Sequence, residues 1–95
     1  MSGIPIRHGT DLVNRAFSDN PADHPTPGEI CFDDRGVWIV CPGCRTVTHI
    51  PFVRSTPSHD IWQWNGDRDK PSLTPSLNHP GCWHGYLTNG EFVSC

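Results

Sequence analysis

The sequence predicts a small all-β or β-rich domain of short antiparallel strands, with at most one short N-terminal helix. Three observations carry that expectation. Ten prolines and nine glycines in 95 residues are scattered among the apolar runs without a repeat, which favours turns and short strands over long helices. Leu, Ile, Val and Phe make up only about a fifth of the chain, near the level at which chains fail to order, so burial of apolar surface needs help. Five cysteines and six histidines can supply it: in a reducing compartment such a set reads as metal ligands rather than disulfides, and an odd count would leave one thiol unpaired.

At 10.6 kDa the chain is sized for one domain. Seven basic against ten acidic residues give a net charge of -3, which argues against a protein whose main task is gripping nucleic-acid backbone. No apolar run is long enough to span a bilayer, and the opening Met1-Ser2-Gly3-Ile4-Pro5 lacks the basic-then-apolar order of a secretory signal. A cytoplasmic location without membrane attachment is expected.

The elements follow in order. Thr10-Asp11 ahead of Leu12, Val13, Ala16 and Phe17 predicts a capped helix over 11–17. Residues 18–28 are polar and proline-rich, so 1–28 reads as an N-terminal arm and surface loop, and 29–95 as the β domain. Glu29-Ile30-Cys31-Phe32 and Val37-Trp38-Ile39-Val40 flank the turn Asp33-Asp34-Arg35-Gly36 and predict a hairpin. The β-branched Thr46, Val47 and Thr48, followed by Ile50 and Phe52, predict a third strand, with Pro51 marking an edge or exit.

Ile61-Trp62-Gln63-Trp64 sets both tryptophans on one face of an extended segment that ends at Asn65-Gly66-Asp67. Pro71 and Pro75 prevent Lys70-Pro71-Ser72-Leu73-Thr74-Pro75-Ser76-Leu77 from being helical, and an extended crossing is expected. Asn89-Gly90 is a type I′ hairpin signal. Counting outward from it places Thr88 opposite Glu91, Leu87 opposite Phe92 and His84 opposite Cys95, with Cys82, His84 and Cys95 on one face.

Cys41-Pro42-Gly43-Cys44 can direct two thiolates at one ion, with Pro42 fixing the turn and Gly43 letting the backbone approach the sulfurs. A structural zinc needs two further ligands, and the last hairpin offers them. The expected set is Cys41, Cys44, Cys82 and His84; Cys95 and His49 are alternatives, and Cys31 reads as a small core residue. The Cys-x-x-Cys lies between predicted strands rather than opening a helix, unlike a thioredoxin-type redox pair. Protein ligands are in surplus, so the ion is read as structural and the fold as zinc-ribbon-like hairpins around it.

With Cys41-Pro42-Gly43-Cys44, Trp62-Gln63-Trp64-Asn65-Gly66-Asp67, Lys70-Pro71-Ser72-Leu73-Thr74-Pro75-Ser76 and Cys82-Trp83-His84-Gly85 before Asn89-Gly90, residues 37–95 resemble a family of small uncharacterised proteins common in bacteriophage, prophage and bacterial genomes. The resemblance implies zinc binding and supplies no reaction. Trp83 separates Cys82 from His84, where many members have the two side by side.

Other constellations have bland readings. Ser58-His59-Asp60 has the residue types of a triad, but neighbours on an extended chain point apart and triad members come from separated segments. Trp62, Trp64, Trp83 and Tyr86 are expected in the core rather than as a stacking platform, and Arg45, Arg54, Arg68 and Lys70 as solvated surface. No pair of carboxylates suggests acid–base work. The function expected is a non-enzymatic, zinc-stabilised interaction module, such as a phage accessory protein that binds and modulates a host macromolecule, with a protein as partner. A nucleic-acid-binding zinc ribbon comes second, and a zinc-dependent hydrolase using His84 or His49 third.

Overall fold

The computed structural model describes residues 3–53, 61–79 and 81–94. Two four-stranded sheets face each other, with a two-stranded ribbon between them in sequence. One sheet orders β2 (Arg7–His8), β3 (Glu29–Phe32), β4 (Gly36–Val40) and β5 (Val47–Pro51); the other orders β1 (Ile4–Pro5), β10 (Glu91–Ser94), β9 (Trp83–Thr88) and β8 (Leu77–His79). The ribbon pairs β6 (Gln63–Trp64) with β7 (Leu73–Thr74). A small β-rich domain with antiparallel pairing and one short helix is thus what forms; the parallel β2–β3 pair is the exception among the described strands.

Both predicted hairpins form, the last one in the register counted from Asn89-Gly90. β3 and β4 pair Phe32 with Val37 across the Asp33–Gly36 turn, where Asp33 Oδ1 accepts hydrogen bonds from the Arg35 and Gly36 amides at 2.8 and 2.7 Å. β9 and β10 pair Thr88 with Glu91 and Leu87 with Phe92, and Asn89 and Gly90 both take positive φ, 50° and 80°, as a type I′ turn demands. Alternation then buries Gly85, Leu87 and Phe92 and exposes His84, Tyr86 and Thr88.

The N-terminal segment contributes one strand to each sheet. β1 pairs with β10 and β2 with β3, so one stretch of chain borders both sheets with only Ile6 between. Helix α1 (Leu12–Ala16) is shorter than expected, and Asp11 takes a left-handed φ of 55° with no side-chain bond to a helix amide. Its carboxylate accepts from Asn14 Nδ2 instead. What anchors the helix is Leu12, buried at 2% exposure, and a two-point ion pair from Arg15 to Glu29 at 2.7 and 3.1 Å.

The core lies between the sheets. Ile30, Val37, Ile39 and Ile50 from one meet Leu77, Leu87 and Phe92 from the other, with Leu73 of the ribbon. Trp62, Trp64 and Trp83 pack against this cluster, Trp64 stacking on Phe52 at 5.2 Å, so three of the four aromatic candidates lie against the core and Tyr86 stays 45% exposed.

Candidate active site and metal centre

Beyond the ribbon the chain passes Pro75 and enters β8 at Leu77, leaving Ser76 half-buried at the strand's mouth. The Ser76 carbonyl accepts a hydrogen bond from the Trp62 indole at 3.4 Å, which ties this point of the backbone to the core tryptophan. β8 pairs with β9 so that Leu77 lies opposite Gly85, Asn78 opposite His84 and His79 opposite Trp83. Leu77 points inward and is buried, so Asn78 and its partner His84 point outward, and both are exposed. Ser76 and His84 are diagonal neighbours on that outer face, where longer side chains can meet. They do meet, with Ser76 Oγ 3.0 Å from His84 Nε2.

The inner side of the same hairpin accounts for Gly85. A Cβ there would collide with the Val93 carbonyl and the Trp83 ring, so glycine leaves the space that the indole occupies. Trp83 then donates through Nε1 to Ser94 Oγ at 2.9 Å.

The Cys41–Cys44 turn follows β4. Its ends are tied by the Cys41 amide to the Thr46 carbonyl at 2.8 Å and by the Arg45 amide to the Cys41 carbonyl at 2.9 Å. Gly43 sits directly against the β8–β9 connection, since a Cβ there would lie 2.5 Å from the Cys82 carbonyl oxygen. Across that contact His79 Nδ1 lies 3.1 Å from Cys41 Sγ and 3.3 Å from Cys44 Sγ. The three donor atoms fall within 4.8 Å of one another and can hold a metal ion. A tetrahedral ion with bonds of about 2.3 Å to sulfur and about 2.1 Å to nitrogen separates such donors by about 3.6 Å, so the fit is close.

The electrostatics agree. The Thr46 hydroxyl, the Thr46 amide and the Cys82 thiol all donate toward Cys44 and pull its thiol down to about 6, making it a thiolate at neutral pH. Cys82 is pushed the other way by its bond to Cys44, by burial and by the charges of Cys44 and Cys41. Cys82 therefore stands beside the trio, in a cluster of thiols whose mutual repulsion a cation relieves.

Of the four ligands expected from sequence, Cys41 and Cys44 lie in the cluster, Cys82 borders it, and His84 is turned outward to Ser76, with His79 in the position expected of it. His49 is engaged elsewhere, 3.1 Å from the Asp33 carboxylate and 4.7 Å from the Trp38 ring. Cys31 is half-buried in β3 opposite Trp38. Cys95, Arg54 and the Ser58-His59-Asp60 run lie outside the described residues. Sequence reasoning missed Ser76 and His79 because Pro75 and Pro80 disguise the three-residue strand between them. The available signal was Cys82 and His84 on one hairpin arm, which calls for a partner strand just before the Gly81 turn.

A serine hydroxyl hydrogen-bonded to an exposed imidazole is the pairing by which serine hydrolases generate their nucleophile. The model of the family described as BubE, bacterial ubiquitination-like system serine protease, matches residues 17–95, and the chain belongs to that family. No curated protein and no solved structure matches it. The family is one of enzymes, so the expectation of a non-enzymatic module that binds and modulates a host macromolecule is corrected, together with the zinc-ribbon and metallo-hydrolase alternatives. The physical reason is that the Ser76–His84 contact is assembled by strand register and leaves no contiguous motif. No helix among the described residues is long and apolar enough to cross a membrane.

Proposed function

We propose that this chain is a serine protease acting on a polypeptide of a bacterial ubiquitination-like system, with Ser76 as nucleophile and His84 as general base. The single observation that supports it is the 3.0 Å contact between Ser76 Oγ and His84 Nε2 on a solvent-facing sheet surface, in a chain of the BubE family. Ser76 Oγ attacks the carbonyl carbon of the scissile bond while its proton passes to His84 Nε2. The tetrahedral intermediate collapses with cleavage of the C–N bond, and the same proton goes to the departing amine. Water, deprotonated by His84, then attacks the acyl-serine ester, and Ser76 recovers its proton as the acid leaves.

The metal in this reading is zinc, held by Cys41, Cys44 and His79, with Cys82, which borders the trio, closing on the ion as the fourth ligand when it binds. A filled shell has a structural role. The ion clamps the β8–β9 connection to the Cys41–Cys44 turn, and the two reactive residues flank that connection, Ser76 before His79 and His84 after Cys82.

Labelling with a fluorophosphonate tests the nucleophile. The adduct is expected on Ser76 by peptide mass spectrometry, and Ser76→Ala and His84→Ala are each expected to lower hydrolysis at least about a thousandfold. Full turnover by Ser76→Ala, or an adduct on another serine, overturns the assignment. Elemental analysis is expected to find one zinc per chain, lost in Cys41→Ser.

A further inference from the structure

An imidazole can take a proton at Nε2 only as the tautomer that carries its hydrogen on Nδ1, and an unsupported ring in water exchanges between tautomers and rotates. Ser76 fixes one end of the His84 ring. The other end needs an acceptor on the same face of the sheet, and the β8–β9 register places one there, since Asn78 is the residue directly opposite His84. Side chains of directly opposed residues have Cβ atoms about 4.5–5.5 Å apart, within reach of a carboxamide and an imidazole nitrogen. Both side chains are exposed on the outer face, while the flanking Leu77 and Gly85 are buried on the inner one, so neither has to leave a packed position to make the contact.

In the structure the Asn78 side chain makes no hydrogen bond to another described residue and His84 is engaged only at Nε2, so we infer that Asn78 is the positioning residue of this site: on rotating toward the imidazole its carboxamide oxygen accepts the hydrogen bond from His84 Nδ1–H and thereby holds the tautomer and ring orientation that present Nε2 to Ser76. The inference rests on the Ser76–His84 reading for its catalytic meaning, while the hydrogen bond itself can be observed without catalysis. It also gives β8 a double use. Ser76 and Asn78, two residues apart and therefore on one face, bracket the imidazole from the facing strand, and Leu77 between them anchors that strand in the core.

The test uses the full chain with its metal retained, p-nitrophenyl acetate as a minimal acyl donor, and nitrogen-15 NMR of His84. Asn78→Ala is expected to lower kcat at least about a hundredfold with KM within about twofold, and to remove the slowly exchanging downfield Nδ1–H signal. Asn78→Asp, which keeps an acceptor oxygen in place, is expected to hold kcat within about tenfold and to retain the signal. Metal content is measured in each variant because Asn78 adjoins His79; should Asn78→Ala lose its metal, Asn78→Leu, of similar shape and without an acceptor, decides by the same two readouts. Wild-type kcat and an unchanged Nδ1–H signal in the metal-loaded alanine or leucine variant overturn the inference. If Ser76→Ala hydrolyses the ester as fast as the wild type, the protease reading fails, and the NMR signal alone then confirms or refutes the Asn78–His84 bond.

Discussion

Arg15 and Glu29 illustrate how single side chains tie the N-terminal segment to the sheets. Glu29 is 8% exposed, receives two bonds from the Arg15 guanidinium and a third from the Thr26 amide at 2.7 Å, and its pKa is held below the ordinary 4.5 chiefly by the Arg15 bond, against the opposing effect of burial. A carboxylate depressed in the folded state contributes stability that is fully present above its unfolded pKa and is lost as pH falls through the folded value. Acid titration of the melting temperature is therefore expected to fall below about pH 4.5. Glu29→Gln is expected to flatten that limb and to lower the melting temperature at pH 7 by about 5 °C. An unchanged acid limb in Glu29→Gln would remove this pair from the account. Nothing in the sequence near Arg15 announces the pair, which spans a proline-rich loop; by contrast Asn89-Gly90 and Asp33 could be read directly, because their roles depend on local backbone geometry alone.

At the level of elements the β8–β9 hairpin carries the candidate site, and it is the least legible part of the sequence for a physical reason. β8 spans only Leu77–His79 between two prolines, so alternation has too few positions to register, whereas β3, β4, β9 and β10 declare themselves through runs of apolar and β-branched residues. The Cys-Pro-Gly-Cys turn was legible because spacing alone directs its thiols, but its histidine partner comes from a strand far along the chain, and only the fold selects His79 over His84. If the metal closes the β8–β9 connection, removing it should loosen that hairpin before the β3–β4–β5 sheet. Chelation is expected to speed amide exchange at Asn78, His79, Trp83 and His84, and to slow fluorophosphonate labelling of Ser76 at least about tenfold, with both restored on adding zinc. A chelated protein that labels Ser76 at the original rate would show that the strands hold the reactive pair in register unaided.

Across the whole molecule two modest sheets share one thin interior, and the Cys41, Cys44 and His79 cluster joins them at one end while Leu87 and Phe92 join them through the middle. Leu87 is fully buried, and truncating such a leucine removes both its transfer free energy and the contacts lining the cavity, about 2–5 kcal/mol. Against a typical total of about 5–15 kcal/mol for a domain, that loss is large but survivable while a second stabiliser is present. A ligand that binds only the folded state adds stability by mass action, so the two contributions should be linked in a specific way. Leu87→Ala is expected to fold cooperatively with zinc and to be largely unfolded after chelation at 25 °C, whereas the wild-type chain keeps its β3–β4–β5 sheet under chelation. Denaturant titrations of both proteins, each with and without metal, provide the four stabilities needed. A chelated Leu87→Ala that unfolds with the same midpoint as its zinc-loaded form would mean that the interior holds the fold without the cation, and that the Cys41, Cys44 and His79 cluster serves some purpose other than stability.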